Sequence, residues 1–301
     1  MEEFVFRPAR RFGMIFQAAF LGVFVFAGLT GFWLAFQVSI GPAFLLSLLP
    51  VLAAFVVVPL LAYRFYALRR ATYTLEREGI RLRWGLRVEE IPIASVLWVG
   101  PATELAGPLP LPRLRWPGGV LGRRALPGVG EIEFMASVTK NLVAIATPGR
   151  YYIVSPEDPE TFLLAYQRCI EMGSLFPMQP RSLYPTFLIN RVWRSAPARA
   201  LLVSGLLLSL ALLIWVSLAI PGRSQVIFGF RPDGQSGDAV PAARLLLLPI
   251  LNTFFFLSDL FLGLFYFRNE DVQPLAYLVW GAGALTSLLF LIAVWFILQA
   301  S

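Results

Sequence analysis

Ala71-Thr-Tyr-Thr-Leu-Glu-Arg-Glu-Gly-Ile-Arg-Leu-Arg-Trp-Gly85 decides how the middle of this chain is read. Ile80, Leu82 and Trp84 fall on one side of an extended backbone and Arg81 and Arg83 on the other, the period-two pattern of a half-buried antiparallel strand. Gly79 and Gly85 mark turns, and Leu86-Arg-Val-Glu-Glu-Ile91 continues the alternation. Further strands are expected at Ile93–Val99 after a short turn, Gly130–Ser137, Asn141–Thr147 and Tyr151–Val154. A helix then follows, with Ser155 as N-cap, Pro156 at the first helical position and Glu157 and Asp158 at the positive end of the dipole. Phe162, Leu163, Tyr166 and Ile170 are expected on its inner face, and Ser155 is read as a cap and not a nucleophile.

On either side the chain changes character. Of its 301 residues 57% are hydrophobic and 14% charged, with a mean hydropathy of +0.70; a water-soluble domain carries about 25% charged residues. A helix needs about 20 apolar residues to cross a bilayer, and five stretches qualify: 14–36, 43–63, 200–220, 245–267 and 275–298. The first exceeds the short core of a signal peptide and is read as half of an uncleaved hairpin. The expected organisation is therefore an N-terminal hairpin (1–63), a β-rich domain (64–171), an interfacial linker rich in proline and aromatics (172–199), and a three-helix region (200–301).

Arginines near the membrane ends set orientation. With the N-terminus inside, ten flank the inner face, from Arg7 to Arg268, and three, Arg223, Arg231 and Arg244, flank the outer. The β-rich block is thereby expected in the cytoplasm, the glycine-rich 221–244 loop outside and without a motif, and the C-terminus outside, in a bacterial inner membrane. The block 64–199 holds 18 basic and 11 acidic residues, a net +7. Such a module is attracted to anionic lipid by about 1 kcal/mol per nearby arginine, although the same charges also serve topology and solubility alone.

Six or seven strands closed by one C-terminal helix is the element order of a pleckstrin-homology fold. The opening Tyr73–Gly85, the short Ile91-Pro-Ile-Ala-Ser-Val96 and above all the closing Tyr152-Ile-Val-Ser-Pro-Glu-Asp-Pro-Glu-Thr-Phe162 resemble bacterial pleckstrin-homology (PH)-like domains of multi-pass membrane proteins. The resemblance spans about residues 64–171. It implies antiparallel sheets closed by a C-terminal helix, with no fixed ligand motif and no established activity to carry over.

Three features are singled out as candidate sites. Gly100–Gly130 is too rich in proline and glycine to be read as central strand, and it carries Arg113, Arg115, Arg123 and Arg124 around Trp116. Its readings are a lipid-contacting loop, a docking arm for a protein partner, or a plain excursion between strands. Asp259 is the one charged residue inside an apolar helix, and with Asn252, Thr253 and Ser258 it suggests a polar seam, serving either a proton or cation relay or an interhelical hydrogen bond. A helical wheel places Asn252, Phe255, Phe256 and Gly263 on the Asp259 side. Gly205–Ser209 and Gly283–Ser287 repeat the small-xxx-small spacing of packed membrane helices.

The chain has no histidine and a single cysteine, Cys169. These absences remove histidine-dependent nucleophile pairs and the common zinc and haem ligand sets. No phosphate loop, dinucleotide fingerprint or metal spacing is present. The expectation is a non-catalytic membrane scaffold with no cofactor. Its expected partners are anionic inner-leaflet lipids and a protein or a second copy of the chain, with no nucleic acid. Alternatives are an accessory subunit of a larger membrane complex and a small transporter component using Asp259.

Overall fold

The computed structural model describes all residues except 1–2, 106–108, 114, 127, 129, 173–180, 184–186, 228–238 and 301. Internal contacts divide the chain into two units, Met1–Ala27 with Ala53–Pro185, and Gly28–Leu52 with Thr186–Ser301. Five helices are long and apolar enough to cross a membrane. They enclose each expected apolar stretch and extend some beyond it, because a helix end keeps its backbone bonded as it enters charged sequence.

Strand β1 (Phe4–Phe6) precedes helices α1 (Arg11–Gln37) and α2 (Pro42–Arg69). Pro50 and Pro59 lie inside α2 without ending it, as is common where a helix crosses a bilayer and local adjustments re-satisfy the freed carbonyls. Gly31 is needed where α1 meets Pro50, since a Cβ there would come within 2.5 Å of the proline ring.

In the first unit, β2 (Thr72–Glu76), β3 (Gly79–Trp84) and β4 (Arg87–Pro92) form the expected meander. Ile80, Leu82 and Trp84 are buried, and Arg81 pairs with Glu76 and Glu90 on the other face. Gly85 turns at φ 62 directly against Ala67 of α2, where a side chain would collide. Two short segments outside the domain read from sequence extend this sheet. β1 pairs antiparallel with β2, Phe6 opposite Tyr73, and β11 (Arg181–Leu183) pairs with β4. Three-residue strands carry too little alternation to be recognised without their partners.

A second sheet has the order β5-β9-β10-β8-β7-β6. Its strands are β5 (Trp98–Pro101), β6 (Arg115–Trp116), β7 (Gly119–Leu126), β8 (Gly130–Ala136), β9 (Val143–Ala146) and β10 (Tyr151–Val154). Two expectations are corrected. The expected closed antiparallel sheets are two open sheets, and β10 runs parallel to β8, Ile153 opposite Phe134, with β9 on its far side. The Gly100–Gly130 segment also contains an eight-residue strand, β7, lying between β6 and β8. The described prolines of that segment fall outside β7, so none removes a donor from the β7–β8 ladder; Pro101 ends the edge strand β5, and Pro108 and Pro127 lie outside the described residues.

Strand β8 is buried on both faces. Met135 joins Tyr73, Leu82, Val154 and Phe162 in the core between the sheets, whereas Ile132, Phe134 and Ala136 form a second core with Ala102 and Ile153. Leu105, Leu109 and Leu111 of the proline-rich segment cover this second core.

Helix α3 (Pro159–Met172) packs on the first core through Phe162 and Tyr166, but starts later than expected. Asp158 is the cap, accepting from the Thr161 amide at 3.1 Å. Ser155 cannot serve because residues 155–157 are taken by the N-terminal arm: Ala9 donates to the Ser155 carbonyl and the Glu157 amide donates to that of Arg7. Its buried face is Phe162, Ala165, Tyr166 and Cys169, with Leu163 at the edge of the core and Ile170 exposed.

The second unit contains α4 (Phe187–Arg194), α5 (Ala196–Ala219), α6 (Leu247–Phe267) and α7 (Gln273–Ala300). Ser195 caps α5 and meets the Tyr277 hydroxyl at 3.1 Å. The expected linker thus ends in helix; its Phe176, Pro177, Pro180, Tyr184 and Pro185 lie outside the described residues. The expected motif-free 221–244 loop closes at its base as a ribbon of β12 (Gln225–Ile227) and β13 (Ala239–Pro241), with Val226 buried. Its Gly229, Arg231, Pro232, Gly234 and Gly237 lie outside the described residues.

Two substitutions test this packing. The Tyr73 hydroxyl, held protonated by burial, donates to the Met135 carbonyl at 2.6 Å and accepts from the Ser155 amide. Tyr73→Phe orphans both groups and is expected to cost about 1–3 kcal/mol in chemical unfolding of the first unit. Gly263 of α6 lies so close to Trp280 of α7 that a Cβ would enter the indole ring. Gly263→Ala is expected to cost about 1–3 kcal/mol by overpacking, read as a lower thermal midpoint.

Candidate functional site

The Trp116 turn is built on the first unit's helices. Trp116 lies edge-on to Phe16 and Phe20 of α1, with ring centroids 5.7 and 5.5 Å away, and the Arg64 guanidinium of α2 sits 5.6 Å from its ring centre. Gln17, 2% exposed, donates from Nε2 to the Pro117 carbonyl at 3.0 Å. Gly118 then takes φ 82, and a Cβ there would stand 2.7 Å from Leu68 and 2.8 Å from the Gly13 Cα. Backbone therefore lies on backbone, and neither glycine has room for a side chain. Gln17 Oε1 and Trp116 Nε1 are buried here without a partner among the described residues.

The five residues marked in this segment do not form one surface. Trp116 is turned onto α1. Arg113 and Arg115 are exposed and Arg124 is half-buried, and none of the three pairs with a carboxylate among the described residues. Arg123 is committed elsewhere: directly opposite Glu133 across the β7–β8 ladder, it donates to that carboxylate at 2.9 Å.

Glu133 is the centre of a charge cluster that the sequence did not reveal. Its side chain is 1% exposed and is met by Arg87 at 2.6 Å, Arg123 at 2.9 Å and Arg150 at 3.0 Å. Arg87 also holds Glu89, 2% exposed, at 2.8 Å, and Ser182 of β11 donates to the same Glu89 oxygen at 2.7 Å. Burial pushes the Tyr152 phenol pKa up, and the nearby Glu89 charge adds to the shift. The cluster joins β4, β7, β8 and β11, elements separated by up to about a hundred residues in sequence, so no local spacing announces it. Buried carboxylates satisfied by guanidinium forks hold geometry.

In the second unit the small-xxx-small motifs meet. Ser209 Oγ and Ser287 Oγ are 3.3 Å apart, and Asn252 Nδ2 donates to Ser209 at 2.9 Å. Asp259 lies two turns further along α6, about 10 Å away, against Gly283 of α7. Asn252 and Asp259 thus face the bundle at separate levels. Thr253 and Ser258 donate to carbonyls of their own helix, and Phe255, placed inward by the wheel, is 40% exposed. A void of about 10 Å3 lies among Asp259, Trp280 and Phe256, room for roughly one water.

Among the described residues no His/Cys/Asp/Glu cluster fits a metal ion. Residues 71–170 match the family model of the bacterial PH domain. The chain thus carries a bacterial PH domain alongside five helices long and apolar enough to cross a membrane. No curated protein and no solved structure matches it.

The charge cluster sets an order of sensitivities. Glu133→Ala removes the buried acid shared by three guanidiniums, leaving Arg87 with Glu89, and is expected to cost about 3–5 kcal/mol in denaturant unfolding. Arg123→Ala, losing a side chain that is 45% exposed, is expected to cost about 1 kcal/mol or less.

Proposed function

We propose that this protein is a non-catalytic integral membrane protein whose PH domain is a binding scaffold on the cytoplasmic face of the inner membrane. The observation that carries the reading is the Trp116 turn. Gly13, Gln17, Phe16 and Phe20 of α1 and Arg64 of α2 all engage it, and β1 adds an edge strand from the other side of α1. The domain is therefore stitched to the root of an apolar hairpin at three points and is held beside the bilayer without a mobile tether. The arginine bias of the flanks supports a cytoplasmic placement of the N-terminus and the PH domain, with the C-terminus outside.

Arg113, Arg115 and Arg124 are the side chains offered to lipid phosphates. Each is a fork suited to phosphate oxygens, and none pairs with a described acid. In this reading Trp116 orients the surface and does not itself bind. Asp259 has a packing role, consistent with the one-water void beside it.

The test uses the full chain in nanodiscs. Hydrogen–deuterium exchange across 113–126 is expected to slow in phosphatidylglycerol discs relative to phosphatidylcholine discs, and to recover at high salt. Arg113→Gln, Arg115→Gln and Arg124→Gln together are expected to remove the difference, which three arginines at about 1 kcal/mol each could make as large as a hundredfold in affinity. Equal exchange in the two lipids at low salt would overturn the lipid-binding reading.

A further inference from the structure

The first unit has a cleft of about 870 Å3 between the start of α3, the β8–β9 turn and the proline-rich segment. That volume lies within the range of about 300–1,000 Å3 typical of ligand sites. Leu109, Leu111, Leu142 and Leu163 give it apolar walls. A second cleft of about 290 Å3 runs on from it towards Ala9 and Pro156, and the two share Thr139, Lys140, Asn141 and Glu157. The shared residues make the two clefts adjoin, so a peptide laid from Leu109 towards Ala9 meets both.

Its charge is opposite to that of the rest of the protein. Glu157, Asp158 and Glu160 line the groove beside one base, Lys140, in a chain of net +7. Asp158 is held ionised by its hydrogen bonds from Thr161, side chain first and amide second. Glu157 meets Arg11 only at 3.9 Å, with both side chains largely in solvent, a contact weak enough to be exchanged. An anionic lipid headgroup, a phosphopeptide or a nucleic acid would meet these carboxylates unfavourably.

We propose that this groove binds an extended segment of a partner protein in which Lys or Arg alternates with apolar side chains. The apolar residues fill the leucine-lined floor, and the cations face Glu157 and Glu160. The inference rests on the scaffold reading and names its protein partner by chemistry. It uses a surface different from the lipid-facing arginines, so the two stand or fall separately.

The experiment uses the full chain in phosphatidylcholine discs, where lipid charge plays no part. A short fluorescein-labelled peptide alternating leucine and arginine is titrated, with leucine–glutamate and serine–arginine peptides and protein-free discs as comparisons. Saturable binding of the leucine–arginine peptide alone is expected. Glu157→Gln with Glu160→Gln is expected to weaken it about threefold to tenfold, the scale of two exposed ion pairs. Thr103→Arg, an exposed rim position, introduces repulsion without touching the helix start and is expected to weaken it as well. Absence of saturable binding, equal binding of the leucine–glutamate peptide, or unchanged binding in both variants would overturn the proposal. Failure here with lipid-dependent exchange intact would leave the membrane scaffold standing without this partner.

Discussion

The contact between Gly13 and Gly118 is the constraint on which the arrangement of the first unit depends. Two backbones meet where neither can carry a Cβ, and that approach lets Gln17 reach the Pro117 carbonyl and lets Trp116 lie against Phe16 and Phe20. A PH domain joined to a helix by chain alone would be free to swing. Here the β6–β7 turn is seated on a helix about a hundred residues before it in the chain, and β1 pairs with β2 from the same side of the sequence. The domain and the ends of the hairpin that belong to the first unit consequently pack together.

Within that unit, β8 does the most connecting. Its even-numbered residues Ile132, Phe134 and Ala136 supply one core, Met135 supplies the other, and Glu133 anchors arginines from β4, β7 and the β9–β10 turn. Burying a carboxylate costs several kcal/mol unless its oxygens are satisfied, so Glu133 is tolerable only when β4, β7 and the β9–β10 turn all bring their arginines to it. The charge cluster is therefore a specificity device for how the two sheets meet. The second unit uses the same logic in apolar surroundings, with Ser209, Asn252 and Ser287 bonding one another where three helices converge.

Some features were legible early because they depend on local periodicity. The alternation of Ile80, Leu82 and Trp84 against Arg81 and Arg83 appears in the structure as read, as do the β10 strand and the five apolar helices. The helix cap was misplaced because Ser155 and Asp158 are both good caps, and the choice was made by the N-terminal arm occupying Ser155 from some 150 residues away. The Gly100–Gly130 segment misled because proline density is a property of the stretch, whereas strand formation is decided position by position; β7 begins just beyond Pro117 and Gly118. Its arginines read as a single basic patch, yet Arg123 turned to a buried acid and Trp116 to a helix.

Hydropathy and alternation alone determined that this is a chain of membrane-length helices interrupted by a β-rich domain, because both signals are repeated every few residues and need no partner to be meaningful. Tertiary structure alone decided which sheet edges Phe4–Phe6 and Arg181–Leu183 would extend, that β8 and β10 run parallel, and which arginines meet Glu133. Those outcomes are fixed by partners far apart in the chain. A glycine opposite a glycine, or an acid opposite three guanidiniums, has no local signature until the fold brings them together.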